Sequence, residues 1–83
     1  MYELTNTYLK KCRLRKGLSQ VQCAKVLGCS SQFIANTERY VSLLPLDKLK
    51  VYIKLIGADR NKVIELLLSD KEKEYRSLLW RIT

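Results

Sequence analysis

The chain has 83 residues, which is enough for one domain with a single core of modest size. Hydrophobic residues make up 47 % of it, which excludes a disordered chain, and its formal net charge of +8 suits a polyanion such as nucleic acid. The sequence contains no membrane-length apolar run, no signal-peptide pattern, no histidine and no CxxC pair, so we expect a cytoplasmic protein with no metal site and no cofactor.

A basic first helix is predicted near the start of the chain. It runs from about Asn6 to Lys16, with Thr5 or Asn6 as its N-cap. Leu9 and Cys12 are spaced to face inward. One proline and three glycines in the whole chain also favour helices over a β fold.

Residues 20–40 predict two short helices joined by a tight turn. Ser19 is a good N-cap for the first of them, which ends near Leu27. Gly28 then supplies the left-handed residue that ends a helix without steric cost. Ala24 is small enough to let the next helix cross closely. The pattern is typical of a helix–turn–helix.

The second helix of this pair begins at Ser30 or Ser31 and ends near Arg39. Ile34 and Thr37 face inward, towards the shared core. The polar outer face is left with Ser31, Gln32, Ala35, Asn36 and Arg39. In a basic chain, such a face is suited to reading duplex DNA.

A fourth helix is predicted to begin with Pro45 as its first residue and to stop at Gly57. Its apolar residues recur at helical spacing: Leu46, Leu49, Ile53 and Ile56. A fifth helix follows from about Arg60 to Leu68, capped by Asp59. Its inward residues are Val63, Leu66 and Leu67.

A sixth helix is predicted from about Lys71 to Ile82, capped by Ser69 or Asp70. Its apolar residues are too numerous to leave in water: Tyr75, Leu78, Leu79, Trp80 and Ile82. Two arrangements are open. The helix folds onto its own domain, or it contributes to a two-fold dimer interface.

Three strings carry a resemblance to a known family. RLRKGLSQ begins at Arg13, AKVLG begins at Ala24 and SSQFIANTER begins at Ser30. With KLIGADRNKVIELL, which begins at Lys54, they make residues 9–68 resemble the Cro/C1-type helix–turn–helix proteins. That family includes lambdoid phage repressors, restriction–modification controller proteins and small bacterial regulators.

The resemblance implies an all-α, compact bundle of five helices, a lambda repressor-like DNA-binding domain over residues 1–69, with a C-terminal helical extension over residues 70–83. It also implies a bacterial or phage-encoded protein. The positions that match base-reading residues of the family are Ser31, Gln32 and Asn36. Phosphate contacts are expected from Ser19, Gln20 and Arg39, together with the basic Lys10 and Lys11 of the first helix. Arg13 and Glu38 match a structural ion pair that ties the first helix to the end of the third.

Phe33 departs from the family pattern, as does Tyr40, and two leucines before Pro45 are candidates for a dimer contact. Phe33 stands where the family usually has a small or polar residue, and it either touches a thymine methyl group or packs in the core, which we favour. Tyr40 replaces the family's usual glycine. Leu43 and Leu44 lie where family dimers often touch, and are expected to add to a dimer interface.

Two classes of function follow from the resemblance. The first is a DNA-binding transcriptional regulator that binds double-stranded DNA, as a homodimeric repressor on a pseudo-palindromic operator. The second is a protein-interaction module such as an antitoxin, whose partner is a toxin. An enzyme is not expected, because no nucleophile–base pair, paired inward carboxylates or Gly-rich phosphate loop is present.

Overall fold

The computed structural model describes residues 2–39 and 42–81. They form five helices: α1 (Glu3–Arg15), α2 (Gln20–Leu27), α3 (Ser31–Glu38), α4 (Leu46–Ile56) and α5 (Arg60–Trp80). No described residue lies in a β-strand, and the predicted all-α fold of five helices is confirmed. None of these five helices combines the length and the apolar character that a membrane crossing requires. Tyr40 and Ile82 lie outside the described residues.

The core lies where the first four helices meet. α1 packs against α3, α4 and α5, and α2 packs against α3 and α4. Every helix contributes buried hydrophobic residues, as does the segment before α4: Leu9, Cys12, Cys23, Ala24, Leu27, Ile34, Leu44, Leu49, Tyr52, Ile56 and Val63. α5 packs mainly against α1.

The start of α1 differs from the prediction, because Thr5 and Asn6 lie inside the helix and are buried. The backbone N–H groups of Leu4 and Thr5 donate to the carboxylate of Asp70 at 3.1 and 3.0 Å, and the Thr5 hydroxyl donates to it at 2.8 Å. The Asn6 side chain donates to the carbonyl of Ser42 at 3.1 Å. A carboxylate from α5 therefore caps the positive end of α1.

The separate sixth helix is not present, because α5 continues without a break to Trp80. Asp59 caps α5 as predicted, accepting from the N–H of Asn61 at 2.9 Å. Ser69 and Asp70 lie within the helix instead of capping a new one. Residues 60–80 contain no glycine or proline to stop the helix, and the Asp70 carboxylate is already bound to α1.

The start of α4 also differs from the prediction. Pro45 precedes the helix rather than forming its first residue, and Leu46, one of the apolar residues that recur at helical spacing, is 78 % exposed. The reason is that Leu44, in the segment before the helix, fills the core at that end. Leu49 is buried as predicted, and Gly57 ends the helix with a φ of +67°.

Candidate nucleic-acid interface

α2 and α3 form a helix–turn–helix whose ends are fixed by local hydrogen bonds. Ser19 caps α2 in a reciprocal box: its Oγ accepts from the Gln22 N–H at 3.0 Å, and Gln22 Oε1 accepts from the Ser19 N–H at 2.8 Å. Gly28 ends α2 in the left-handed conformation. Ser30 Oγ accepts from the Phe33 N–H at 3.3 Å, so the N-terminus of α3 is capped as well.

The turn glycine supports a modest prediction. Gly28 has a φ of +69°, and an added Cβ would have no neighbour within 4 Å. We expect Gly28→Ala to lower the free energy of unfolding by about 1–2 kcal/mol through backbone strain alone, and Gly28→Asn by less, because asparagine tolerates this conformation. Urea unfolding of the three proteins measures the difference. Equal losses for both substitutions would contradict this explanation.

A lysine of α4 forms a hydrogen bond with the end of α2, beside the turn. Lys48 Nζ donates to the carbonyl of Leu27 at 2.9 Å. Leu27 is the last residue of α2, where unpaired carbonyls carry the negative end of the helix dipole. The contact fixes α4 against the helix–turn–helix. Sequence reasoning missed it, because the two residues are 21 positions apart and one partner is backbone.

A buried ion pair anchors the C-terminal end of α3 to α1. Arg13 Nε lies 2.5 Å from Glu38 Oε2, and a second guanidinium nitrogen lies 3.0 Å from Glu38 Oε1. Arg13 also donates to the carbonyl of Leu18 at 2.6 Å, and Gln20 Nε2 donates to Glu38 Oε1 at 3.0 Å. The hydrogen bonds to Glu38 raise the pKa of the Arg13 guanidinium. Glu38 is thereby the point at which α1, α2 and α3 are joined.

The outward face of α3 carries a connected row of polar side chains. Asn36 Oδ1 accepts from Gln32 Nε2 at 3.0 Å and from an Arg39 guanidinium nitrogen at 2.8 Å. These residues are spaced i, i+4 and i+7, so they follow one side of the helix. The opposite side is buried and includes Ile34 and Thr37, as predicted. α3 therefore presents hydrogen-bonding groups to solvent while its other side is held in the core.

Two further residues of α3 flank this row. Ser31 is half-buried at the start of the helix, and Phe33 is 36 % exposed. The preferred core position for Phe33 is wrong, because Ile34 and Thr37 already fill the inward side. Its ring lies at the edge of the outward face.

The comparisons with known proteins give structural likeness only. No protein-family model matches the sequence, and no curated protein matches it. The restriction–modification controller protein C.Esp1396I superposes with a TM-score of 0.65 at 24 % identity, covering 82 % of this chain and 87 % of that chain. A single-residue mutant of that controller gives 0.65 at 25 % identity, with 87 % and 91 % covered. The clp gene regulator ClgR from Corynebacterium glutamicum gives 0.69 at 21 % identity, with 98 % and 87 % covered. The chain has the Cro/C1-type helix–turn–helix fold.

Within this Cro/C1-type fold, the expected phosphate contacts fall into two groups. Ser19 is exposed and Gln20 half-buried at the start of α2, within the helix–turn–helix, and Lys10 is exposed on α1. Lys11 is placed apart from them. It shares a shallow depression with Lys62 of α5 and lies about 160° around α1 from Arg13, which faces α3. Lys11 therefore does not join a surface centred on α3.

The residues expected at a dimer interface also fall into two groups. Leu44 is only 2 % exposed and belongs to the core, so the expectation of a dimer contact there is wrong. Leu43 is half-buried and packs against the same core. The described apolar residues at the end of α5 have exposed fractions between 53 % and 78 %: Tyr75, Leu78, Leu79 and Trp80. These four side chains therefore do not pack onto their own domain, as one of the two predicted arrangements required.

Two exposed residues that sequence reasoning did not assign extend that apolar surface. Ile64 and Leu68 lie earlier on α5 and are also exposed. Together with Lys71, Tyr75 and Leu78 they follow one another at spacings of four, three, four and three residues. This is the spacing of a helix–helix seam, and reading α5 as one helix of 21 residues would have revealed it. We call these five residues the α5 seam.

Proposed function

We propose that this protein is a sequence-specific DNA-binding transcriptional regulator, and that it acts as a homodimeric repressor on a pseudo-palindromic operator. α3 enters the major groove, with Ser31, Gln32 and Asn36 facing the bases. The observation that carries the proposal is the polar row on α3, whose helix is clamped from behind by the buried Arg13–Glu38 pair. A recognition helix must be held rigidly to present its side chains in register with base edges.

The charge distribution supports a polyanionic partner. Residues 1–60 carry 11 Lys and Arg against 4 Asp and Glu, whereas residues 61–83 carry 5 against 4. The positive excess thus lies on the four helices that include α3. Such charges attract phosphates without reading sequence, and the N-termini of α2 and α3 add backbone N–H groups for phosphate oxygens. Ser19, Gln20 and Lys10 are the proposed phosphate contacts.

The dimer is proposed to form through the α5 seam. An antiparallel pair of α5 helices crossing near Lys71 and Glu72 would set Leu68 against Tyr75 of the partner subunit. Lys71 would lie at the crossing point, where its long side chain can extend into solvent, so the contact would be made by the apolar residues of the seam. α5 packs mainly on α1, which leaves α3 of each copy uncovered for DNA.

A charge placed in the seam tests the dimer. We expect Leu68→Glu to raise the dimer dissociation constant by at least about 100-fold, because the buried leucine is lost twice in a two-fold interface, at about 1.5–3 kcal/mol each. Sedimentation equilibrium measures this change. Leu14→Glu, on the exposed side of α1, is the matched control and should leave the mass in solution unchanged. Equal masses for the wild type and Leu68→Glu would contradict the seam.

The function itself is tested by selecting duplexes from random 30-mers and measuring the affinity of the enriched site across a salt series. We expect a site with two-fold symmetry, bound by two copies of the chain, with half-site centres about one helical turn apart. Failure to enrich any sequence, with weak binding that disappears as salt is raised, would overturn the proposal.

A second function is favoured by one observation, the exposure of the seam. An antitoxin-like protein would bury the same surface against a toxin instead of a second copy of itself. A monomeric chain in solution that enriches no DNA sequence would favour this alternative. A dimer whose mass depends on Leu68 would exclude it.

A further inference from the structure

The amide of Asn36 is not presented as an adenine-reading group. An asparagine that reads adenine accepts from N6–H through Oδ1 and donates to N7 through Nδ2. Here Asn36 Oδ1 already accepts from Gln32 Nε2 and from Arg39, at 3.0 and 2.8 Å, which uses both of its lone pairs. Pairing with adenine would require at least one of these contacts to be given up.

The second of these hydrogen bonds also places the Arg39 guanidinium. Arg39 is the residue at which α3 ends, yet its side chain runs back along the helix to a residue one turn earlier. Helical side chains lean towards the N-terminus in this way, so the charged group lies over the turn that carries Asn36 rather than beyond the end of the helix. One N–H of the guanidinium is taken by Asn36, and no other described residue accepts a hydrogen bond from the remaining donors of the fork.

We propose that Arg39 reads a guanine in the major groove, and that Asn36 is the positioning residue that holds the guanidinium for it. This rests on the proposed function and replaces the expected phosphate contact of Arg39. A guanidinium fixed in orientation offers two parallel donors, which match guanine O6 and N7, and this is the commonest specific contact between a side chain and a base. Arg39 stands in the same outward row as Gln32 and Asn36, directly opposite the buried side of α3.

Base reading and phosphate binding by Arg39 predict different measurements. The operator is first selected from random duplexes with the wild-type chain, and each base pair of one half-site is then substituted in turn. If Arg39 reads a base, Arg39→Ala weakens binding to the operator by about 5- to 150-fold. At one G·C position, the variant then binds the substituted duplex as well as it binds the operator. The slope of log affinity against log salt then changes little.

Phosphate binding by Arg39 would give a different result in the same measurements. If Arg39 contacts a phosphate, Arg39→Ala weakens binding to every duplex by the same factor and reduces the salt slope by about 1. That result would overturn the assignment while leaving the proposed function intact. Failure to enrich any operator would instead overturn the proposed function itself.

The role of Asn36 is tested with the same duplexes. Asn36→Ala should relax preference at the same G·C position as Arg39→Ala, and the double variant should lose little more than either single one. If Asn36→Ala instead relaxed the preference at a separate A·T position, and its loss of affinity added to that of Arg39→Ala, the positioning role would be overturned. Arg76→Ala is the matched control, because Arg76 is an exposed arginine of α5 that also donates to a residue of its own helix, Glu72, at 2.9 Å. It should leave all affinities unchanged.

Discussion

Replacing Arg13 with methionine is expected to lower the free energy of unfolding by about 3–5 kcal/mol. The substitution leaves the Glu38 carboxylate buried between α1 and α3, with the Gln20 amide as its remaining hydrogen-bond donor among the described side chains. A domain of this size has a total stability of about 5–15 kcal/mol, so the variant should be partly unfolded well below the wild-type melting temperature. Urea unfolding followed by circular dichroism measures the loss.

The matched control for this result is Arg15→Met, an exposed arginine in the same last turn of α1. It should change the stability by less than about 0.5 kcal/mol. A double variant, Arg13→Met with Glu38→Met, should recover roughly half of the loss or more, because no buried charge is then left unpaired. A loss below about 1 kcal/mol for Arg13→Met alone would show that the pair behaves as a surface pair.

Asp70→Ala is expected to lower the free energy of unfolding by about 3–5 kcal/mol. The Asp70 side chain is buried and accepts three hydrogen bonds at the start of α1, and bonds to a charged acceptor are worth about 1.5–3 kcal/mol each, though not additively. Its removal leaves the first turn of α1 without its cap and the Thr5 hydroxyl without this acceptor. Thermal unfolding of the purified variant measures the effect.

A graded set of variants separates the cap from a general effect of charge on α5. Thr5→Val removes only the hydroxyl bond and should cost about 1 kcal/mol. Glu72→Ala removes an exposed carboxylate two residues from Asp70 and should cost less than about 0.5 kcal/mol. If Asp70→Ala were no more harmful than Glu72→Ala, the cap across the fold would contribute nothing to stability.

The helix–turn–helix could be predicted from the sequence because its signals are local. Ser19, Gly28 and Ser30 each act within three or four residues, and the structure places all three as helix ends. The same local logic failed at Thr5 and Asp70. Both residue types are frequent caps, but here each satisfies the other across 65 positions, which no local pattern reveals. Because the Asp70 carboxylate is bound to α1, it does not cap a new helix, and the two predicted C-terminal helices form the single helix α5.

The candidate site was predictable only in part. The spacing of Gln32 and Asn36 on the outer side of α3 follows from helical periodicity, whereas the pairing of Arg13 with Glu38 came from the family resemblance, since 25 residues separate them. The hydrogen bonds that occupy Asn36 depend on side-chain conformations, which periodicity does not give. Leu44 was misplaced because residues in connecting segments carry no periodic signal for burial.

The contact between Asp70 and the start of α1 bears on the order in which the chain folds. During synthesis, α1, α2 and α3 are all added to the chain before residue 70. Until then, the first turn of α1 lacks its cap, while the ends of α2 and α3 are already capped by their own neighbours. The helix–turn–helix is therefore expected to gain structure early, and α1 to be secured last, because closing a loop of 65 residues must precede those hydrogen bonds.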